Sequence, residues 1–267
     1  MFEFALSGLR SGLRGRSFQA VFILGLLLIG AAYLSGYFSP RQPRTVALDV
    51  GLSGLRFALI ILNLFWVQEL VTKEIDRKIV LFSLSYPVSR AEFLFGRLLS
   101  VVLLSLLAAL VMGLLLLLAV TLAGGAYAQE YQVQLGGPYW MTLAGLVLDA
   151  TMVAAFSLCI AVLSTVAVLP LLLGVAFAVG GKALGATLDY LAQGADGDAQ
   201  MVGQFSPVLR ISQWLLPDLS RLDWRDWALY GLYPGHDAVL WSVVMGLAYI
   251  GMLFALAVLI FSRREFV

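Results

Sequence analysis

Six apolar runs, each about as long as a bilayer crossing requires, leave this chain one class of fold. They lie near Phe18–Phe38, Leu52–Val71, Leu98–Ala123, Tyr139–Leu163, Val166–Leu188 and Ala238–Ser262. A membrane-spanning helix needs about 20 mainly apolar residues, and every run comes close to or exceeds that length. The expected fold is an all-α polytopic membrane protein, with about six transmembrane helices in a single transmembrane domain over residues 1–267. Charge agrees: only 12% of the residues are charged, about half the ~25% of a soluble domain. Runs four and five are the hardest to divide, because Ala161–Leu173 is almost wholly apolar. Pro170 is the strong breaker there and places a tight turn near Ser164–Pro170. The first run is longer than a signal-peptide core and has no convincing small-residue cleavage site after it, so a retained span is expected.

Between runs two and three lies the stretch Glu69–Arg97, which carries Glu69, Lys73, Glu74, Asp76, Arg77, Lys78, Arg90, Glu92 and Arg97. At mid-membrane each such charge costs roughly 2.5–3.5 kcal/mol, so residues 69–97 are expected to form an aqueous connector. Pro87 has no N–H and disfavours helix at Tyr86. Ser89, with Glu92 three residues on, has the capping-box spacing that restarts a helix. The pattern is helix, break, helix at the membrane surface. Its charges suit orientation of a partner, and Ile75, Ile79 and Phe82 suit an apolar anchor. The plain alternative is a solvated charged loop.

Positive charge sets the topology. Arg10, Arg14 and Arg16 precede the first span, Lys73, Arg77, Lys78, Arg90 and Arg97 fall in the connector, and Arg263 and Arg264 follow the last span. Six crossings put all three groups on one side, expected to be the cytoplasm, together with both termini. The other side receives the 124–138 turn and the acidic 189–237 loop. In that loop Gln193–Gln204 is polar and Gly-rich, whereas Trp214, Trp224, Trp227, Tyr230 and Tyr233 favour the interface, so short helices on or in the outer leaflet are expected. Residues 1–17 place Phe2, Leu6, Leu9 and Leu13 on one helical face beside Arg10 and Arg14. That suits an interfacial amphipathic helix held by membrane lipid; a basic leader that only sets topology is the alternative.

Several chemistries are unsupported. Cys159 and His236 are the sole residues of their types, so the chain forms no internal disulfide and assembles no zinc or thiolate cluster. Gly180-Gly181-Lys182 lacks the spacing and hydroxyl of a phosphate loop. Ser157 and Ser164 have no nearby base, and HExxH is absent, so no catalytic residue and no metal site is assigned. A formal net charge of +1 implies no nucleic-acid partner. Asp196-Gly197-Asp198 reads as a solvated turn.

Arg56, Asp149 and Lys182 fall within or near the ends of spans. Such groups pair, line a wet cavity or reach out to headgroups. Asp149 is the deepest, and either a translocation path or an ion pair with Arg56 would account for it. Gly8/Gly12, Gly181/Gly185 and Gly231/Gly235 have GxxxG spacing, but only the middle pair lies within a span.

The connector resembles that of the permease subunits of type-2 ABC transporters. Glu74, Ile75, Arg77, Leu84, Ser85, Pro87, Val88, Ser89, Arg90, Glu92 and Gly96 match that family's segment after its second span. Arg97 stands for its usual Lys, and Ile79 replaces its usual Thr. Leu215-Leu216-Pro217-Asp218 followed by Leu222-Asp223 is similar to its last extracytoplasmic segment. The branch it resembles most contains permeases for maturation of multicopper enzymes such as nitrous oxide reductase. The resemblance implies a non-enzymatic subunit of an exporter in the bacterial cytoplasmic (inner) membrane, paired with a second permease copy. A separate ABC ATPase subunit on the cytoplasmic side would hold ATP and Mg, with Glu69–Leu84 as the coupling helix. A periplasmic accessory protein is a further partner such a system admits. Cargo is not legible. A non-transporting membrane scaffold that docks soluble partners is the alternative function.

Overall fold

A computed structural model describes residues 2–76, 89–123, 132–192 and 217–263. Arg77, Lys78, Ile79, Phe82 and Pro87 of the connector, Gln193–Gln204, Trp214 and Arg264 lie outside the described residues. Among those described, six helices are long and apolar enough to cross a membrane: Phe18–Tyr37, Pro43–Asp76, Arg90–Leu122, Gly137–Leu163, Leu169–Thr187 and His236–Arg263. The fold is an all-α, multi-pass membrane protein.

The chain begins with α1 (Phe2–Arg14) and α2 (Arg16–Tyr37). Then α3 (Pro43–Val67) runs through a π-turn, Gln68–Thr72, into α4 (Lys73–Asp76) without a break. There follow α5 (Arg90–Leu122), α6 (Gly137–Leu163), α7 (Leu169–Ala192), a 3₁₀ turn at Leu219–Leu222, α8 (Arg225–Tyr230) and α9 (His236–Arg263). The start of α5 follows its sequence signal. Ser89 Oγ accepts from the Glu92 N–H at 3.2 Å, and Glu92 Oε2 accepts from the Ser89 N–H at 3.2 Å, which completes the capping box. The turn between α6 and α7 is also where it was expected: Ser164 Oγ accepts from the Val166 N–H at 2.9 Å, and Pro170 sits in the first turn of α7.

By contrast, α3 starts well before the expected Leu52. Pro43 occupies its first turn, where a missing N–H costs nothing. Arg44 and Asp49 interrupt the apolar run in sequence, yet they extend the same helix beyond it. At its far end the helix continues to Asp76, so the first charges of the connector are helical.

The core lies around α3 and α6. Leu52, Leu55, Leu59, Leu62 and Trp66 of α3 are buried with Leu146, Ala150, Ala154 and Leu158 of α6. Association of helices in lipid depends on such close packing rather than on escape from water. The outer helices α2 and α9 are the least enclosed and present Leu27, Leu34, Leu240 and Trp241 outward, as lipid contact permits.

Two glycine pairs let neighbouring elements pack closely. A side chain at Gly8 would strike Ser100, and one at Gly12 would strike Leu104. Thus α1 docks closely on α5, and Trp66 Nε1 donates to the Gly12 carbonyl at 3.4 Å. The arginines Arg10 and Arg14 remain exposed. On α7, a side chain at Gly181 would meet Leu219, and one at Gly185 would meet Ser220 and Asp218. The 3₁₀ turn fits into that gap. Within the 189–237 loop, the described residues 217–230 form short helices, but Leu219, Leu222, Trp224, Ala228 and Leu229 are buried in the bundle, so Trp224 is not at the interface expected for it. Tyr230 and Tyr233 are exposed. Thr142 Oγ1 donates to the Trp224 carbonyl at 3.0 Å, and the Gln134 N–H donates to the Ala228 carbonyl at 2.8 Å, fastening this segment to α6 and its approach.

Candidate functional site

Charged side chains gather at two levels. At the connector end, where α1, α4 and the start of α5 meet, the structure divides the expected partner-facing residues into inward and outward sets. Glu74 and Arg97 bind each other: Arg97 Nε donates to Glu74 Oε2 at 3.1 Å and Nη2 donates to Oε1 at 2.5 Å. Arg97 is 6% exposed and also donates from Nη1 to Ser7 Oγ of α1 at 3.4 Å. This bidentate, charge-assisted pair is a strong kind of contact, and it ties α4, α5 and α1 together. The expected apolar anchor Ile75 is buried beside it.

Arg90 is occupied as well. Its Nη1 donates to the carbonyls of Phe261 at 2.7 Å and Ser262 at 3.1 Å, closing the C-terminal turn of α9 as a cation there does. Glu92 is engaged in the capping box. Lys73 and Asp76 are the exposed charges of α4. Glu69, within the π-turn, stands 3.7 Å from Lys73. A π-turn is a rare insertion that recurs at functional sites, and here it sits where α3 leaves the apolar run.

The second level runs through the membrane-spanning part towards the opposite, loop end. Arg56 Nε donates to Asp149 Oδ2 at 2.6 Å, and the two residues are 6% and 2% exposed. Asp149 is about 18 Å along α6 at 1.5 Å per residue, so a short side chain there depends on a partner within the bundle. Lys182 Nζ donates to Asp223 Oδ2 at 2.8 Å, and Arg225 Nε donates to Asp223 Oδ1 at 2.8 Å. Arg225 Nη1 then reaches Asp49 Oδ1 at 3.1 Å and Ser53 Oγ at 2.8 Å. A chain of alternating charges therefore joins α7, the 217–225 segment and α3. Burial by itself raises the Asp223 carboxyl, but the hydrogen bonds and charges of Arg225 and Lys182 outweigh it and hold the group below the usual carboxylate range.

The chain matches no family model and no curated protein.

Of the three residues expected along a translocation path, Arg56 and Asp149 are in contact, whereas Lys182 pairs with Asp223. Asp49 and Arg225 join this group although neither was a candidate. A signal for Asp49 was present: Asp49, Ser53 and Arg56 stand at i, i+4 and i+7, one polar stripe on an apolar helix. Asn63 extends the same helix's polar content inward; it is fully buried and donates from Nδ2 to Ser105 Oγ at 3.0 Å.

Among the described residues no group of three or more metal-binding side chains occurs.

Proposed function

We propose that this chain is the membrane-spanning subunit of an ATP-driven exporter of the type-2 ABC class, working with a separate ATPase at its connector end. The observation that carries this reading is the continuity of α3 into α4. A helix of 34 residues, Pro43–Asp76, is about 50 Å long at 1.5 Å per residue. It links the loop end to the charged connector, and Glu74–Arg97 ties its tip to α5 and α1. A push on the exposed face of α4 would therefore tilt several spans together, the rigid-body coupling that alternating access requires. The positive-inside bias supports a cytoplasmic position for this end, and the connector's resemblance to the permease family supports the same partner. Arg56, Asp149 and Lys182 would then lie along or beside the path of the cargo, which stays unassigned.

Lys73 and Asp76, rather than Glu74, are the residues to reverse, because they are exposed and not committed to an internal bidentate pair. The test is co-expression of the full chain with candidate ABC ATPase subunits, followed by purification in nanodiscs. Equal-stoichiometry co-purification is expected, with ATP turnover reduced at least about fivefold by Lys73→Glu with Asp76→Lys, a loss of roughly 1 kcal/mol of coupling. A chain that purifies alone and alters no ATPase rate would overturn the proposal in favour of a non-transporting scaffold.

A further inference from the structure

A groove of about 440 Å³ opens between α3 and α7, within the ~300–1,000 Å³ of small-molecule sites. Its two ends differ. Ile60, Ile61 and Val175 line the part nearer mid-membrane, whereas Arg56, Lys182 and Arg225 line the part nearer the loop end. Among the described residues the walls thus carry three cations and no carboxylate, since Asp149, Asp223 and Asp49, which bridge those cations, do not line the groove.

The decisive atom is on Arg56. This side chain is 6% exposed, its Nε is taken by Asp149, and its Nη2 is buried with no partner among the described residues. A guanidinium offers five N–H donors and binds phosphate through paired ones. Leaving a buried donor unmade costs about 1–3 kcal/mol, more for a charged group, so an acceptor entering the groove at this level would be favoured.

We infer that the α3/α7 groove binds a membrane phospholipid of net negative headgroup charge, its phosphate at Arg56, Lys182 and Arg225 and an acyl chain along Ile60, Ile61 and Val175. The lipid stands head towards the loop end, matching the direction in which the groove changes from apolar to cationic. Because surrounding lipid tails are as apolar as the groove, the acyl chain gains little by entering, and selectivity comes from the headgroup. The assignment rests on the membrane-spanning architecture and is independent of the exporter reading.

Native mass spectrometry of the full chain, released from micelles holding equal dioleoyl-phosphatidylglycerol and dioleoyl-phosphatidylcholine, tests this. The expected result is retention of phosphatidylglycerol over phosphatidylcholine by about fivefold or more. Lys182→Gln should lower that preference at least about threefold. Val179→Trp, which fills the groove from its exposed wall, should lower retention of both lipids without moving the melting temperature. Should Lys182→Gln unfold through loss of the Asp223 contact, Val179→Trp decides, since it touches no ion pair. Equal retention of the two lipids, retention unchanged by Val179→Trp, or displacement of phosphatidylglycerol by millimolar inorganic phosphate would each overturn the inference. A change of oligomeric state in Val179→Trp with lipid retention unaltered would place a second copy of the chain on this face and overturn it equally.

Discussion

Breaking the Arg56–Asp149 pair from either side should produce unequal losses, and the structure says which is larger. Removing one partner of a buried pair costs about 3–5 kcal/mol, mostly through the charge left behind. In Asp149→Leu the orphan is Arg56, which lines the groove and can turn to whatever occupies it, so the loss should fall near 3 kcal/mol. In Arg56→Met the orphan is Asp149, 2% exposed and with Oδ1 already unpartnered. The hydrogen bond of Lys182 goes to Asp223 and leaves Asp149 without a second partner. That loss should approach 5 kcal/mol. The double replacement removes both charges, and apolar substitutes for buried pairs are often neutral or stabilising. It should recover to within about 1 kcal/mol of the parent, so that the two single losses are far from additive. Equilibrium unfolding in mixed micelles by denaturing detergent, followed by tryptophan fluorescence, measures all four proteins. Single variants within about 1 kcal/mol of the parent, or a double variant as weak as the worse single one, would refute the reasoning.

Three further outcomes follow from particular contacts. Gly12→Leu should lift α1 from α5, because its side chain would occupy the place of Leu104; faster proteolysis within residues 2–14, with the six spans intact, would show it, at a cost of about 1–3 kcal/mol. Ser89→Ala should remove the capping box and lower stability by about 1 kcal/mol, read as faster hydrogen exchange in the first turn of α5 and nowhere else. The Asp223 cluster should be acid-labile: its folded carboxyl titrates below its unfolded value, so its stabilisation is full above the unfolded pKa and disappears as pH falls through the folded one. Protection of 217–230 against hydrogen exchange, relative to the intrinsic rate at each pH, should fall below about pH 4, and Asp223→Asn should remove that dependence while lowering protection at neutral pH.

The spans were legible because they depend on one local quantity, a run of apolar residues long enough to cross lipid, and all six recur, within a few residues except at the starts of α3 and α5, which begin at Pro43 and Arg90 rather than Leu52 and Leu98. The start of α3 was hidden because Arg44 and Asp49 look like loop residues until Pro43 is seen to open the helix. The capping box at Ser89 was equally local and equally readable. The partnerships of the charges were not. Glu74 and Arg97 are separated by 23 residues, Arg56 and Asp149 by 93, and Asp49 and Arg225 by 176. No periodicity within one segment says which distant charge will face it. A charged connector therefore read as a partner-facing surface, although Glu74, Arg90, Glu92 and Arg97 are taken up within the fold. The glycine pairs failed to stand out for a related reason. Gly8 and Gly12 receive α5 from outside the spans, and Gly181 and Gly185 receive a 3₁₀ turn, not a second spanning helix.

The 93 residues between Arg56 and Asp149 also set a schedule for biogenesis. During synthesis α3 is complete before α6 exists, so Arg56 must enter the membrane before its counter-ion has been made. At roughly 5–20 residues per second the wait is about 5–20 s. An arginine within a span opposes insertion during that interval, by up to roughly 2.5–3.5 kcal/mol. Until then the α2–α3 hairpin is held by its own leucines, by the fit of Leu28 against Gly54 and of Ala47 against Gly36, and by the stacked rings of Phe18 and Trp66. The arrival of α6 then turns a reluctant segment into the best-enclosed pair of helices in the protein, which makes Asp149 the residue that locks an insertion already under way.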